Sequence, residues 1–215
     1  PPQMPMERIA MLGGGQLGRM FIENALRYDA QVDVLDPDPA CPSAGIATRF
    51  TPGSFNDRDT VLRFAAEADV VGIEIEHVSV EALETLEKAG KRVVPAPAML
   101  RTIQDKGLQK GFYRDHGIPT ADFALLESGK DLHAHPHLLP GFLKTRTGGY
   151  DGKGVMAVDH DTPVETVFDG PCVLETRVPF AKELAVMVAR DAQGNTAVYD
   201  PVEMVFDPAL NLVDH

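Results

Sequence analysis

Short apolar runs alternate with helix-patterned stretches through roughly the first hundred residues, and this alternation constrains the fold more than any other feature. "RIAML" (8–12), "QVDVL" (31–35), "DVVGIEIE" (69–76) and "RVVP" (92–95) read as strands. Residues 16–28, 57–68 and 79–89 read as helices. In the last of these, Ala82, Leu83 and Leu86 share one face and Glu81, Glu84 and Glu87 the other. Strands joined through helices by short connections predict a parallel sheet, and near-continuous apolar strands fit a sheet covered on both faces.

The first strand runs into Gly13, Gly15 and Gly18, a G-x-G-x-x-G spacing that opens the first helix. Asp36 ends the next strand, close to where a ribose-binding acid stands in dinucleotide sites. Backbone N–H groups at a helix N-terminus attract any phosphate, so the loop alone leaves its ligand open. Glu74 and Glu76 lie two apart, on one face at the C-terminal end of their strand. Open α/β sheets place ligand groups there.

The texture changes between residues 96 and 105. Helical stretches at 97–103 and 105–116 lead into "IPTADFALL", a polar stretch, and a run of strands. A short helix is expected over 162–168, and "DAQGN" carries hairpin-turn chemistry between "ELAVMVARD" and "TAVYDPVEMVF". The fold class is therefore α/β followed by α+β, with a boundary near residue 97. A second glycine loop, "KTRTGGYDGKG" (144–154), lies between two strands. Its glycines permit positive φ and let N–H groups close over phosphate oxygens. It lacks the G-x-x-x-x-G-K-[ST] spacing of a Walker loop. His133, His135 and His137 in "HAHPH" have no carboxylate or cysteine cluster near them in sequence, and read as a solvated loop or helix end.

The chain has 32 acidic and 20 basic residues, for a formal net charge of −12. That balance disfavours non-specific nucleic-acid binding. No apolar run approaches the ~20 residues that span a bilayer. "PPQMPMERIA" lacks the basic and apolar regions of a signal peptide. Cys41 and Cys172 show no paired spacing and read as reduced thiols of a cytoplasmic protein. The final stretches, "TAVYDPVEMVF" and "ALNLV", read as strands from the middle of a sheet, which predicts a piece of a longer protein.

"GGGQLGRM", "EIEHV", "IQDKGLQK", "KTRTGGYDGKG", "VLETRVPFAKELAVMVARD" and "YDPVE" occur in one order along the chain. That set resembles the 5-(carboxyamino)imidazole ribonucleotide synthase family of the ATP-grasp superfamily, and the resemblance covers nearly the whole sequence. It implies a Rossmann-like N-terminal domain over residues 1–97 whose glycine loop faces aminoimidazole ribonucleotide rather than a dinucleotide. It implies an ATP-grasp region over 98–215, truncated before its C-terminal part. The implied reaction is ATP-dependent carboxylation of that ribonucleotide with bicarbonate, through carboxyphosphate, in purine biosynthesis. These 215 residues by themselves are expected to show little turnover. The alternatives are another ATP-grasp carboxylase or ligase, or a non-catalytic nucleotide-binding module.

The same resemblance assigns roles residue by residue. Lys106 and Lys144 look like the phosphate-binding lysines of the ATP site. Gly148, Gly149, Gly152, Lys153 and Gly154 look like its lid, with Tyr150 and Asp151 at the tip facing the carboxylation centre. Glu175 to Val178 resembles the adenine hinge, and Glu183 the acid that holds the ribose. Gly15, Gln16, Leu17, Glu74 and Glu76 would approach the ribonucleotide. Magnesium ligands and a third domain are expected beyond residue 215, so no metal ligand is assigned. A homodimer acting on small molecules, without nucleic-acid or membrane partners, is implied. Met204 and Phe206 depart from the Asn and His that the family has after "YDPVE".

Overall fold

The computed structural model describes residues 7–149, 154–207 and 212–213. The chain separates into two compact units, one through Thr176 and one from Arg177.

The first unit begins with β1 (Arg8–Leu12), α1 (Gln16–Ala25), β2 (Gln31–Asp36), β3 (Arg49–Pro52), α2 (Arg58–Phe64), β4 (Val70–Ile73), α3 (Val80–Lys88) and β5 (Arg92–Val94). The five strands form one parallel sheet in the order β3-β2-β1-β4-β5. Alternate side chains of these strands enter two cores. Met11, Val32 and Val34 pack with Ile22 and Ala25 of α1 on one face. Ala10, Leu12, Leu35 and Val71 pack on the other with Val61 and Phe64 of α2 and Leu83 and Leu86 of α3. Burial on both faces is what the continuous apolar strands predict. Asp57 caps α2 by accepting the Thr60 N–H at 2.8 Å, and Ser79 caps α3 by accepting the Ala82 N–H at 3.3 Å.

Next come α4 (Pro97–Gln104), α5 (Lys106–Asp115), β6 (Phe123–Leu126), β7 (Gly141–Thr145), β8 (Val155–Val158) and β9 (Cys172–Thr176). The four strands form an antiparallel sheet in the order β6-β9-β7-β8. One face, with Leu143, Cys172 and Leu174, closes a core with Leu132, Leu138 and Val167. Directly opposed residues share a face, so Phe123, Phe142 and Glu175 lie together, and Lys144 and Val173 lie on that side too.

The second unit holds β10 (Leu184–Ala185), β11 (Val188–Arg190), β12 (Thr196–Val198), β13 (Val202–Glu203), β14 (Phe206–Asp207) and β15 (Leu212–Val213). β11 and β12 form the expected hairpin. The Asp191 carboxylate closes its turn by accepting the N–H groups of Gln193 at 2.9 Å and Asn195 at 2.8 Å, and Gly194 takes φ +88°. β10 pairs with β13 and β14 with β15.

Several expectations need correction. The helix over 16–28 is α-helical only to Ala25 and tightens into a 3₁₀ turn at Leu26–Tyr28. β3 was not expected: it is a four-residue edge strand, partly exposed and ending in Pro52, so it lacks the apolar signature. β4 stops at Ile73, which leaves Glu74 and Glu76 in the bend after it and not on a strand face. The helix over 162–168 is one 3₁₀ turn, Val164–Thr166, because Pro163 precedes it and the stretch offers little apolar periodicity. "ELAVMVARD" is two short strands, interrupted at Val186–Met187. The segment with His133, His135 and His137 forms 3₁₀ turns, and His133 Nε2 lies 2.9 Å from the Thr162 carbonyl oxygen.

Candidate active site

The strand order of the parallel sheet reverses between β1 and β4, the place where open α/β sheets hold ligands beyond the carboxyl ends of their strands. The glycine loop and the Glu74 bend both lie at that point. Gly13 takes φ +95°, a conformation that L side chains rarely adopt. A Cβ on Gly15 would come within 2.6 Å of Glu74 Oε1, and one on Gly14 within 2.6 Å of Cys41 Sγ. The Gly15 N–H donates to Glu74 Oε2 at 3.3 Å, which sets a carboxylate against the positive end of α1. Asp36 is spent on the loop itself: its Oδ2 accepts the Gly14 N–H at 2.8 Å, and its Oδ1 accepts the Asp38 N–H at 2.8 Å. Gln16 and Leu17 start α1 and face solvent, Leu17 with 67% exposure.

Glu76 stands apart from Glu74. Its side chain is half exposed, and its Oε1 lies 3.5 Å from His77 Nε2. The backbone there is pinned from α4: the Gln104 Nε2 group donates to the carbonyls of Glu76 at 2.7 Å and Val78 at 2.9 Å.

The second loop begins where β7 ends. Lys144 lies on β7 beside Glu175 of β9, to whose Oε2 its ammonium donates at 3.1 Å. The Thr145 N–H donates to the Gly154 carbonyl at 2.9 Å, so the two ends of the loop meet. Gly148 and Gly154 both take φ +74°. Gly149 precedes the loop tip; Tyr150, Asp151, Gly152 and Lys153 lie outside the described residues.

Lys106 opens α5, and its N–H donates to the Arg146 carbonyl at 2.9 Å. Asp105 is the N-cap: its Oδ1 accepts the Gly107 and Leu108 N–H groups at 2.7 and 3.1 Å. The same carboxylate takes both arms of the Arg146 guanidinium, Nε–H at 2.9 Å and Nη2–H at 2.7 Å. Partial burial works against the charged carboxylate, but Arg146 and the two N–H groups outweigh it and hold Asp105 below the ordinary carboxylate range. A Cβ on Gly107 would lie 2.6 Å from Arg146 Nε, so glycine there is what lets the guanidinium reach the cap.

In the second unit, Val178 is exposed, and its carbonyl accepts the Phe180 N–H at 3.0 Å. Glu183 is exposed before β10, and its carbonyl accepts the Met204 N–H at 2.9 Å.

The structure thus brings Gly15 to Glu74 and Lys144 to Glu175, and joins Lys106 to the start of the second glycine loop through Arg146. The sequence reading missed Arg146, Asp105 and Gln104, although the "QD" before Lys106 and the "R" between Lys144 and the glycines were in view. It also gave no role to Lys110, although that residue closes "IQDKGLQK".

Residues 6–104 match the ribonucleotide synthetase pre-ATP-grasp domain, and residues 111–208 the ATP-grasp domain. The N5-carboxyaminoimidazole ribonucleotide synthase of Brucella melitensis biotype 1 is 36% identical over 209 residues, covering 94% of this chain and 58% of the relative. Among solved structures, the Aspergillus clavatus N5-carboxyaminoimidazole synthase in complex with ADP and 5-aminoimidazole ribonucleotide is 35% identical, with a TM-score of 0.84 over 95% of this chain and 55% of that one. The Thermotoga maritima N5-carboxyaminoimidazole ribonucleotide synthetase is 34% identical, with a TM-score of 0.83 over 93% and 54%. The chain therefore spans little more than half the length of the relatives it matches. With a pre-ATP-grasp sheet, the start of an ATP grasp and relatives of one kind along nearly its whole length, the chain belongs to the N5-carboxyaminoimidazole ribonucleotide synthase family of the ATP-grasp superfamily.

Proposed function

We propose that this chain acts in the ATP-dependent carboxylation of 5-aminoimidazole ribonucleotide with bicarbonate. Residues 1–97 serve the ribonucleotide and residues 98–215 the nucleotide. The observation that carries the reading is the pairing of two glycine loops in one unit. One lies at the switch point of the parallel sheet with Glu74 against it, and the other follows Lys144. The Aspergillus clavatus relative in complex with ADP and 5-aminoimidazole ribonucleotide supports both ligands.

In this reading Lys106 and Lys144 offset phosphate charge, and the loop from Gly148 through Gly154 closes over the phosphates, with Lys153 within it. Glu175 to Val178 holds adenine through backbone groups and Glu183 holds the ribose. Gly15, Gln16, Leu17, Glu74 and Glu76 meet the ribonucleotide. A bicarbonate oxygen attacks the γ-phosphorus and ADP leaves, giving carboxyphosphate. Carboxyphosphate splits into carbon dioxide and phosphate. The exocyclic amine attacks the carbon dioxide and loses a proton, with Tyr150 and Asp151 facing the reacting centre. A closed loop excludes water from the short-lived carboxyphosphate.

Among the described residues, no group of three or more His, Cys, Asp or Glu could hold a metal. Magnesium is proposed to accompany ATP. No helix among the described residues is long and apolar enough to cross a membrane. The reading is completed by a cytoplasmic homodimer with small-molecule partners only.

The test follows ADP release from magnesium-ATP and bicarbonate by the full-length protein, with and without 5-aminoimidazole ribonucleotide. Release that requires the ribonucleotide and is lost in Lys144→Ala is expected. Release indifferent to the ribonucleotide would move the substrate to another amine or acid.

A further inference from the structure

The proposed reaction gives no role to Lys110, the one buried lysine among the described residues, at 8% exposure. It lies one helical turn after Lys106 on α5. Its ammonium donates to Thr120 Oγ1 at 2.6 Å, lies 3.2 Å from Glu175 Oε2 and stands 5.7 Å from the Phe123 ring centroid. Lys144 donates to that same Oε2. Two ammonium groups therefore share one oxygen of a buried carboxylate, and the cluster of three carries one positive charge in excess. An uncompensated charge in such a place is strongly disfavoured.

The two lysines are held differently. Lys110 is enclosed and has a hydroxyl, a carboxylate and an aromatic face around its ammonium. Lys144 keeps 28% of its side chain exposed and stands at the start of the glycine loop. Lys144 is the one free to exchange partners. We propose that Lys110 is a positioning residue: it keeps Glu175 neutralised when Lys144 turns from that carboxylate to the phosphates of a nucleotide. This rests on the nucleotide reading given above. An incoming polyphosphate takes up the excess positive charge, and Glu175 is never left alone in the interior. Without Lys110, Lys144 would be committed to Glu175. Each nucleotide bound through Lys144 would then strand a buried anion.

The experiment compares the wild type with Lys110→Met, Lys110→Gln and the double variant Lys110→Met/Glu175→Gln in the full-length protein. One readout needs no nucleotide: the rate at which an amine-acylating reagent labels Lys144, read by mass spectrometry. The other is the Kd for ADP by calorimetry. Lys110→Met is expected to slow labelling of Lys144 several-fold and to weaken ADP about tenfold. Lys110→Gln, which keeps a donor for Thr120, is expected to do the same and guards against a folding defect in the first variant. Adding Glu175→Gln removes the charge that holds Lys144, so labelling of Lys144 should return close to wild type; ADP is not the readout for this variant, because Glu175 belongs to the proposed adenine hinge. A double variant whose Lys144 labels no faster than in Lys110→Met would overturn the proposal, since loss of packing is not repaired by changing Glu175. Unchanged labelling in a protein that still binds ADP would overturn the role of Lys110 alone. A wild type that does not bind ADP would overturn the nucleotide reading, and with it the exchange of Lys144.

Discussion

Asp105 and Arg146, 41 residues apart in sequence, meet fork to fork, at 2.9 Å through Nε and 2.7 Å through Nη2. The carboxylate also caps α5, and the Arg146 carbonyl accepts the Lys106 N–H. One ion pair thereby fixes a proposed phosphate lysine relative to the start of the proposed lid. Arg146→Met should destabilise the protein by about 2 kcal/mol, because it leaves a charged cap without its partner. Urea unfolding of the two proteins measures the loss. The KM for ATP should also rise, and a variant with normal KM would show that the pair is structural only.

The same pair sets a pH dependence. The folded carboxyl of Asp105 is held below its ordinary value, so its contribution is complete above the unfolded pKa of about 3.9 and disappears as pH falls through the lower folded value. The stability difference between wild type and Asp105→Asn should therefore be flat from pH 5 to pH 7 and shrink below about pH 4. Denaturant melts across that range check it. A difference that grew on acidification would mean that the carboxyl is not stabilised in its charged form.

The glycine loop at the switch point makes a steric prediction. Gly15→Ala sets a methyl group 2.6 Å from Glu74 Oε1 and must push that carboxylate off the Gly15 N–H. Gly13→Ala meets both φ +95° and Glu74. Gly13→Ala should cost about 1–3 kcal/mol in stability. Gly15→Ala should cost less and act mainly on the ribonucleotide, raising its KM about tenfold. Thermal melts and initial-rate kinetics separate the two effects. Equal losses of stability would refute the distinction.

Both thiols should be inert in the folded protein. Burial raises the Cys41 thiol above its ordinary range and nearby Asp36 adds to it; burial alone raises Cys172. A disulfide reagent at pH 8 should react with the native chain roughly 100-fold more slowly than with the urea-unfolded one. Fast labelling of one thiol in the native state would place that cysteine in a segment that opens locally.

Much of the fold was legible because its signals are local. The helix at 80–88 shows both its cap and its apolar stripe in sequence, and strands buried on both faces show as apolar runs. β3 was not legible, since an exposed edge strand has no pattern to detect. The two glycine loops stood out because tight backbone approaches exclude side chains, and that requirement is written in the residues themselves. The contacts that organise the site were hidden. Lys110 closes "IQDKGLQK" without a role of its own, and Glu175 reads only as the start of the hinge, not as a partner of lysines. Only the docking of α5 on the face that carries Phe123, Phe142 and Glu175 makes them partners.

At the α4–α5 junction, three consecutive residues are tied to two other parts of the chain: Gln104 to the bend after β4, and both the Asp105 carboxylate and the Lys106 N–H to Arg146. Such a junction tolerates no change of length. One residue gained or lost would turn the following helix by about 100° and carry Lys106 and Lys110 away from their places. The exposed stretch at 133–137, between the core residues Leu132 and Leu138, carries no such phase and can absorb added residues at the surface. Changes of chain length in proteins built on this plan should therefore gather in that surface segment and leave the junction at a constant count.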